Sequence, residues 1–172
     1  SRFQEIESLV RSSRYPSRML DDNMADLAAQ SACNHYGVTA LRALARASSC
    51  EVVLRNMTEL CHHAAEVMRS KLLPLTGRRW QGEDVLDDGT RIQVLLRCSE
   101  EGLQVDFSGS GPVHDGNLNA TEAIVRSAVL YVLRAWVGDH LPLNEGLLDD
   151  VHIKTPEGIL SPVFPEDPAV CP

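Results

Sequence analysis

The sequence predicts an α+β fold, with helices before and after a mostly antiparallel sheet. Apolar residues recur at helical three-and-four spacing up to Pro74 and then alternate, with a period of two, between Ile92 and Phe107. A glycine-rich stretch, residues 109–117, separates this alternating part from a second helical pattern. Helical and alternating periods in this order are typical of α+β proteins. A chain of 172 residues with 44% hydrophobic content is long enough to form a core.

Two helices are expected within residues 1–76, the helical segment of the chain. Asp21, Asp22 and Asn23 supply N-cap chemistry for the first helix. Its apolar positions are Met24, Leu27, Val38, Leu41 and Ala45. Those of the second helix are Val53, Met57, Leu60, Ala64 and Val67. Pro74 ends the second helix because proline lacks the amide hydrogen that a helix needs, and the two helices are predicted to form a helical hairpin.

Residues 77–172 are predicted to contain a β meander. Asp87-Asp88-Gly89 and Glu100-Glu101-Gly102 have the composition of tight turns, and an alternating run follows each of them. The short alternating run at residues 151–154 predicts a final strand. We expect residues 77–172 and the helical segment to form one compact domain.

A third helix is predicted over residues 120–137, with Asn119 as its N-cap. Only Glu122, Arg126 and Arg134 carry charge in this helix. Because so few charges leave no polar face, the helix is expected to be buried on most sides.

Charge and cysteine content argue against several classes of protein. The net charge of −8 disfavours nucleic acid or an anionic membrane as a partner, because both attract basic surfaces. No apolar run approaches the roughly 18 to 20 residues of a membrane span. The five cysteines are odd in number and form no C-x-x-C pair. Reduced thiols in a cytoplasmic protein are therefore expected, without disulfides or a zinc site.

Two clusters of metal-ligand residue types are assigned to ordinary structure. Cys61-His62-His63 lies within one helix, where neighbouring side chains point about 100° apart and cannot share an ion. Asp84, Asp87 and Asp88 lack the alternating ligands and the closing Glu of a calcium loop, and turn chemistry accounts for them. No metal site is predicted in this chain.

Asp106 is the candidate catalytic residue. It alternates with Val105 and Phe107, so it is predicted to project from the face opposite the core, at the end of a strand and just before the glycine-rich stretch. A carboxylate in this position can act as a base or orient a substrate group. The alternative is an ordinary solvent-facing strand residue or a cap of the following loop.

Ser108, Asn119 and Asn144 are the candidate substrate-binding residues. Residues 109–119 form a glycine-rich loop that leads to a helix N-terminus, where amide groups can bind an anion or a developing oxyanion. The alternative is a plain connector. Asn144 lies between two apolar elements, where it either hydrogen-bonds its own turn or contacts a substrate.

Several segments, taken together, resemble one protein family. They are Arg14-Tyr15-Pro16 and residues 22–30, 87–89, 105–110, 116–119, 126–131, 142–146 and 156–158. In this order and spacing they resemble the hydantoinase B/5-oxoprolinase family, which includes N-methylhydantoinase B-type subunits.

The resemblance implies that the chain is an internal piece of the B-type subunit of an ATP-dependent cyclic amidohydrolase. A partner, the hydantoinase A-type subunit or domain, would phosphorylate the substrate, and this piece would help to open a lactam or hydantoin ring. ATP and a divalent metal are then expected for the intact complex, with no cofactor and no independent activity for this piece. The alternatives are a structural or interface segment without site residues, and part of an acetone- or acetophenone-carboxylase-type subunit.

Overall fold

The computed structural model describes residues 2–14, 17–138 and 141–163. Tyr15 and Pro16 of the first matching segment, and Cys171, lie outside these residues. The helices are α1 (Arg2–Ser12), α2 (Leu20–Ala47), α3 (Cys50–Leu72) and α4 (Glu122–Val137), with short 3-10 helices at Leu73–Leu75 and Glu145–Leu148. The strands are β1 (Arg79–Val85), β2 (Arg91–Ser99), β3 (Gly102–Asp106) and β4 (Val151–Lys154).

The chain divides into two compact units, residues 1–56 and 57–172. The first contains α1, α2 and the start of α3, and α1 contacts α2. No described residue of this unit is buried. The exposed apolar side chains of α2 include Tyr36, Val38, Leu41 and Leu44. The two long helices predicted before residue 76 are confirmed as α2 and α3, whereas the segment boundary at residue 76 stays a prediction.

The second unit contains a four-stranded sheet in the order β1-β2-β3-β4. Strands β1, β2 and β3 are antiparallel neighbours, which confirms the predicted meander. Gly89, with a φ of 88°, provides the turn between β1 and β2, since glycine adopts positive φ without a steric penalty. The final predicted strand, β4, is also present and pairs in parallel with β3. A parallel pair needs a long crossover connection, and α4 lies within it.

The core of the second unit combines α3, α4, the 3-10 helix Glu145–Leu148 and one face of the sheet. Its buried residues are Ala64, Met68, Leu72, Cys98, Leu103, Val105, Leu133, Leu141, Leu147, Leu148 and Val151. A smaller cluster joins Val125 of α4 to Ile159 and Leu160. The C-terminal part of α3 therefore shares a core with the sheet.

Helix α4 differs from its prediction in its start and in its burial. Thr121 is the N-cap, and its Oγ1 accepts a hydrogen bond from the Ile124 amide at 3.3 Å. Asn119 is not the cap, because the Ala120 amide donates to the carbonyl of Ile159 at 2.7 Å and keeps residue 120 outside the helix. The buried residues of α4 are Val125 and Leu133. Its exposed apolar residues are Ile124, Tyr131, Val132 and Trp136. The prediction of burial on most sides is therefore wrong for this part of the chain.

Within the described residues, no helix combines the length and the apolar character that crossing a membrane requires. In the same part of the chain, Cys33, Cys50, Cys61 and Cys98 are free thiols.

Candidate functional site

Three of the matching segments meet at one end of the sheet. Gly111 donates its amide to the Arg91 carbonyl at 2.7 Å and accepts the Ile159 amide at 3.2 Å. Ile159 in turn accepts the Ala120 amide, which ties the end of the glycine-rich loop to the same place. Ile159 therefore joins residues 105–111 and residues 116–120 by backbone hydrogen bonds, although it follows them by about 40 residues in the chain.

Glycine at position 158 permits this contact. A Cβ on Gly158 would lie 2.7 Å from the Gly111 carbonyl oxygen, which is closer than Cβ atoms approach an oxygen in folded proteins. A larger residue at position 158 would separate the two segments.

A small cleft lies where residues 107–111 meet residues 156–160. Its polar side chains are Ser108, Ser110 and Glu157. Ser110 has a structural role, since its hydroxyl accepts the Gln93 amide and donates to the Gln93 carbonyl, both at 3.1 Å. Ser108 and Glu157 are exposed and are the polar groups of the cleft that a small molecule can reach.

Asp106 lies beside this cleft, at the end of β3. Its Oδ1 accepts the Ser108 amide at 2.9 Å and the Ser108 hydroxyl at 2.5 Å. Its Oδ2 lies 3.4 Å from Nζ of Lys154, its cross-strand neighbour on β4. The strand alternation is as predicted, with Val105 buried in the core. However, the Asp106 side chain is only 15% exposed, because Ser108 and Lys154 cover it.

These contacts make Asp106 a stable carboxylate. The hydrogen bonds from Ser108 hold the pKa of Asp106 below its usual value, and the charge of Lys154 acts in the same direction. A carboxylate with a lowered pKa is a weak base, and it is better suited to orienting donors than to removing protons. Lys154 was not predicted as a site residue, because its position beside Asp106 depends on the register of β3 with β4.

Asn119 organises the glycine-rich loop from a buried position, 6% exposed. Its Oδ1 accepts the His114 amide at 2.8 Å, and its Nδ2 donates to the carbonyls of His114 and Gly116 at 2.9 and 3.2 Å. Asn119 thus closes residues 114–119 into a compact loop.

Asn144 lies at a different place, against α3. Its Oδ1 accepts the Gly146 amide at 2.9 Å, as predicted for a residue that bonds its own turn. Its Nδ2 donates to the carbonyls of Leu60 and Pro142 at 3.3 and 3.2 Å. These contacts attach the 3-10 helix Glu145–Leu148 to α3, and they do not bring Asn144 to Asp106 or Ser108.

A pair that the sequence did not reveal joins the β1–β2 turn to the glycine-rich loop. His114 Nε2 lies 2.6 Å from Asp88 Oδ2, and His114 Nδ1 accepts the Gly116 amide at 2.8 Å. Hydrogen bonds from Thr90 and His114 lower the pKa of Asp88, and the Asp88 carboxylate raises the pKa of His114. The two residues are 26 positions apart, and no local pattern indicates that they meet.

A divalent metal needs several side-chain ligands that converge on one point. Over residues 2–14, 17–138 and 141–163, no three His, Cys, Asp or Glu side chains come together in a way that could hold an ion. The described residues therefore do not fit a metal centre of their own.

Residues 2–171 match the sequence pattern of the family described as Hydantoinase B/oxoprolinase. The chain is 38% identical to the 5-oxoprolinase of Saccharomyces cerevisiae over 160 residues, which cover 87% of this chain and 12% of that protein. It is 34% identical to the 5-oxoprolinase of Dictyostelium discoideum over 168 residues, covering 92% and 13%. The chain therefore spans about an eighth of the length of these relatives.

The fold is similar to part of a crystal structure described as the ATP-dependent caprolactamase from Pseudomonas jessenii. The TM-score is 0.77, and the match covers 96% of this chain and 29% of that one. The sequence identity is 22%, so the likeness establishes a shared fold.

Proposed function

Because the chain belongs to the hydantoinase B/oxoprolinase family, we propose that it is a segment of the B-type part of an ATP-dependent cyclic amide hydrolase. The relatives named 5-oxoprolinase support this class of reaction, and so does the fold shared with a caprolactamase. The substrate would be a lactam or a related ring such as a hydantoin. The free thiols favour a cytoplasmic location.

One observation carries the proposal. Segments that resemble the family, and that are separated by up to about 50 residues, meet around the cleft that Ser108 and Glu157 line. The two segments can approach each other this closely because Gly158 has no Cβ, which would otherwise meet the Gly111 carbonyl oxygen. The cleft is small in this chain, about 20 Å³, so it would border the substrate site of the intact protein and would not enclose a ring by itself.

The polar groups of the cleft match the chemistry of a cyclic amide. The Ser108 hydroxyl donates its proton to Asp106, so its oxygen presents lone pairs outward. Those lone pairs can accept the N–H of an amide ring, and the Glu157 carboxylate can accept as well. We assign Asp106 the role of orienting Ser108, and Ser108 the role of contacting substrate. Asn119 shapes the adjoining loop, and Asn144 supports the unit from the side of α3.

ATP and a divalent metal would act elsewhere in the intact protein. When bound, they would supply phosphorylation of the amide oxygen, in a hydantoinase A-type subunit or domain. Because the chain spans about an eighth of the length of its relatives, the 172-residue chain alone is expected to open no ring.

A scaffold without site residues is the second candidate. The observation in its favour is that the polar side-chain atoms of Asn119 and Asn144 bond to the chain's own backbone. Under this alternative the cleft would be a packing feature, and substitutions of its exposed groups would leave turnover unchanged.

The experiment uses the full-length protein that contains this segment, together with its ATP-handling partner. Ring-opened product is measured for Ser108→Ala, Asp106→Asn and the matched control Asp87→Asn, an exposed carboxylate of the β1–β2 turn. Asp106→Asn should lower turnover on the order of a hundredfold, which corresponds to about 2.7 kcal/mol of barrier. Ser108→Ala should lower turnover at least as far, because Asp106 acts through Ser108, and the control should be unchanged. Folded Asp106 and Ser108 variants with unaltered kinetics would favour the scaffold.

A further inference from the structure

His114 is held by four hydrogen bonds, two from its ring and two from its main chain. The ring bridges Asp88, at 2.6 Å from Nε2, and the Gly116 amide, at 2.8 Å from Nδ1. The amide and the carbonyl of His114 both bond to the side chain of Asn119. The ring therefore sits between the β1–β2 turn and the loop of residues 114–119.

The partners of the ring determine which nitrogen carries the proton. The Gly116 amide is a donor, so Nδ1 must present a lone pair to it. The ionised Asp88 carboxylate is an acceptor only, so Nε2 must carry a hydrogen. The arrangement is that of a neutral imidazole with its proton on Nε2.

A second proton cannot be added without changing the loop. It must bind Nδ1, on the side that the Gly116 amide hydrogen already occupies, and two hydrogens cannot share that position. We propose that His114 is a positioning residue that couples the uptake of one proton to the release of the Gly116 amide and a rearrangement of residues 114–119.

The carboxylates around the ring favour its protonated state. Asp88 faces the ring from the β1–β2 turn, and Asp115 acts on it from the loop itself. Asp88 raises the pKa of His114, mainly through its hydrogen bond, and partial burial opposes this. The stabilisation from the charged Asp88–His114 pair is complete below the pKa of an unfolded histidine. It is lost as pH rises through the raised pKa of the folded state. The hydrogen bond from the Gly116 amide to His114 Nδ1 has the opposite pH dependence. It forms when the proton leaves Nδ1 as the pH rises.

The rearrangement would be felt at the cleft. The Gly116 carbonyl accepts from Asn119, and the next residue, Ala120, donates to Ile159. Ile159 donates to Gly111 at the edge of the cleft. The proton on His114 would thereby regulate the site that carries the proposed function, although the exchange itself can be observed without any activity.

The test is an NMR titration of the 172-residue chain from about pH 5 to pH 9, the range in which a histidine changes charge. It follows the Cε1 proton of His114 and the amide of Gly116. In the unmodified chain the two resonances should titrate with one shared midpoint. In Asp88→Asn both midpoints should move together to lower pH, since the carboxylate that favours the charged ring is gone. Asparagine keeps the Oδ1 that accepts the Thr90 amide, so the turn is retained.

Two further variants separate a proton-coupled change from a general effect of pH. In His114→Gln the Gly116 amide should no longer titrate, and in Asp87→Asn both midpoints should stay where they are in the unmodified chain. A Gly116 amide that is unmoved while His114 titrates would overturn the proposal. So would an Asp88→Asn chain in which the His114 midpoint is unchanged. Either result leaves the proposed hydrolase function untouched, because no turnover is measured.

Discussion

Gly146→Ala tests how the 3-10 helix Glu145–Leu148 attaches to α3. Gly146 is buried, and a Cβ at this position would lie 2.1 Å from the carbonyl oxygen of Cys61. The same Cβ would lie 2.7 Å from the carbonyl carbon and 2.9 Å from the Cα of Cys61. All three are backbone atoms of a helix, which cannot rotate away as a flexible side chain can. The added methyl group must therefore push the two elements apart.

The cost has two components. Forcing a methyl group into a packed contact typically costs about 1–3 kcal/mol. Separation of the elements also weakens the hydrogen bond from Asn144 Nδ2 to the Leu60 carbonyl, 3.3 Å long, with a net value of about 1 kcal/mol. We expect the free energy of unfolding of this unit to fall by about 2–4 kcal/mol.

Urea unfolding followed by tryptophan fluorescence measures this change. Both tryptophans of the chain, Trp80 and Trp136, belong to the unit that contains Gly146, so the signal reports on that unit. With a slope of about 2 kcal/mol per molar urea, the midpoint should fall by about 1–2 M.

Gly82→Ala is the matched control in the same unit. Its Cβ would lie 3.4 Å from a methyl carbon of Val94, an ordinary van der Waals contact. The change in stability should stay within about 0.5 kcal/mol. If Gly146→Ala unfolds at the same urea concentration as Gly82→Ala, the close approach of Gly146 to Cys61 is refuted.

Three other predictions concern single side chains. Met68 is fully buried, so Met68→Ala should lower the free energy of unfolding by about 2–5 kcal/mol in the same urea assay. A loss under about 1 kcal/mol would contradict the central place of Met68 in the core. Burial raises the pKa of the Cys98 thiol, whereas Cys33 and Cys50 are exposed. After brief alkylation at neutral pH, peptide mapping should show that Cys98 reacts at least about tenfold more slowly than Cys33 and Cys50. Equal rates of modification would argue against the burial of Cys98. The hydrogen bonds from Ser108 lower the pKa of Asp106, so its stabilising effect is present above the pKa of an unfolded aspartate and is lost as pH falls through the folded value. In the unmodified chain the free energy of unfolding should therefore fall as the pH drops below about 4, and this fall should be smaller in Asp106→Asn. If the free energy of unfolding of Asp106→Asn has the same pH dependence as that of the unmodified chain, Asp106 does not have this role.

The elements of the fold were largely determined by local sequence. The change of period from 3.6 to two separates α3 from the meander, because each period follows from backbone geometry alone. Asp87-Asp88-Gly89 predicted the turn at which Gly89 adopts positive φ, since that conformation depends on the residue itself. The family resemblance likewise came from short segments, and residues 2–171 match the family throughout.

Tertiary structure decided where polar side chains find their partners. Sequence placed Asn119 at a helix start, but the Ala120 amide bonds to Ile159, nearly 40 residues away, and Thr121 became the cap. The same holds for Asp106. The alternation of β3 predicted that its side chain faces away from the core, but the parallel pairing of β4 with β3 places Lys154 over it. His114 and Asp88 meet only because the loop folds back over the β1–β2 turn. Periodicity assigns a residue to a face within one element, whereas a hydrogen bond between elements depends on register and loop path, which are set when the whole chain packs.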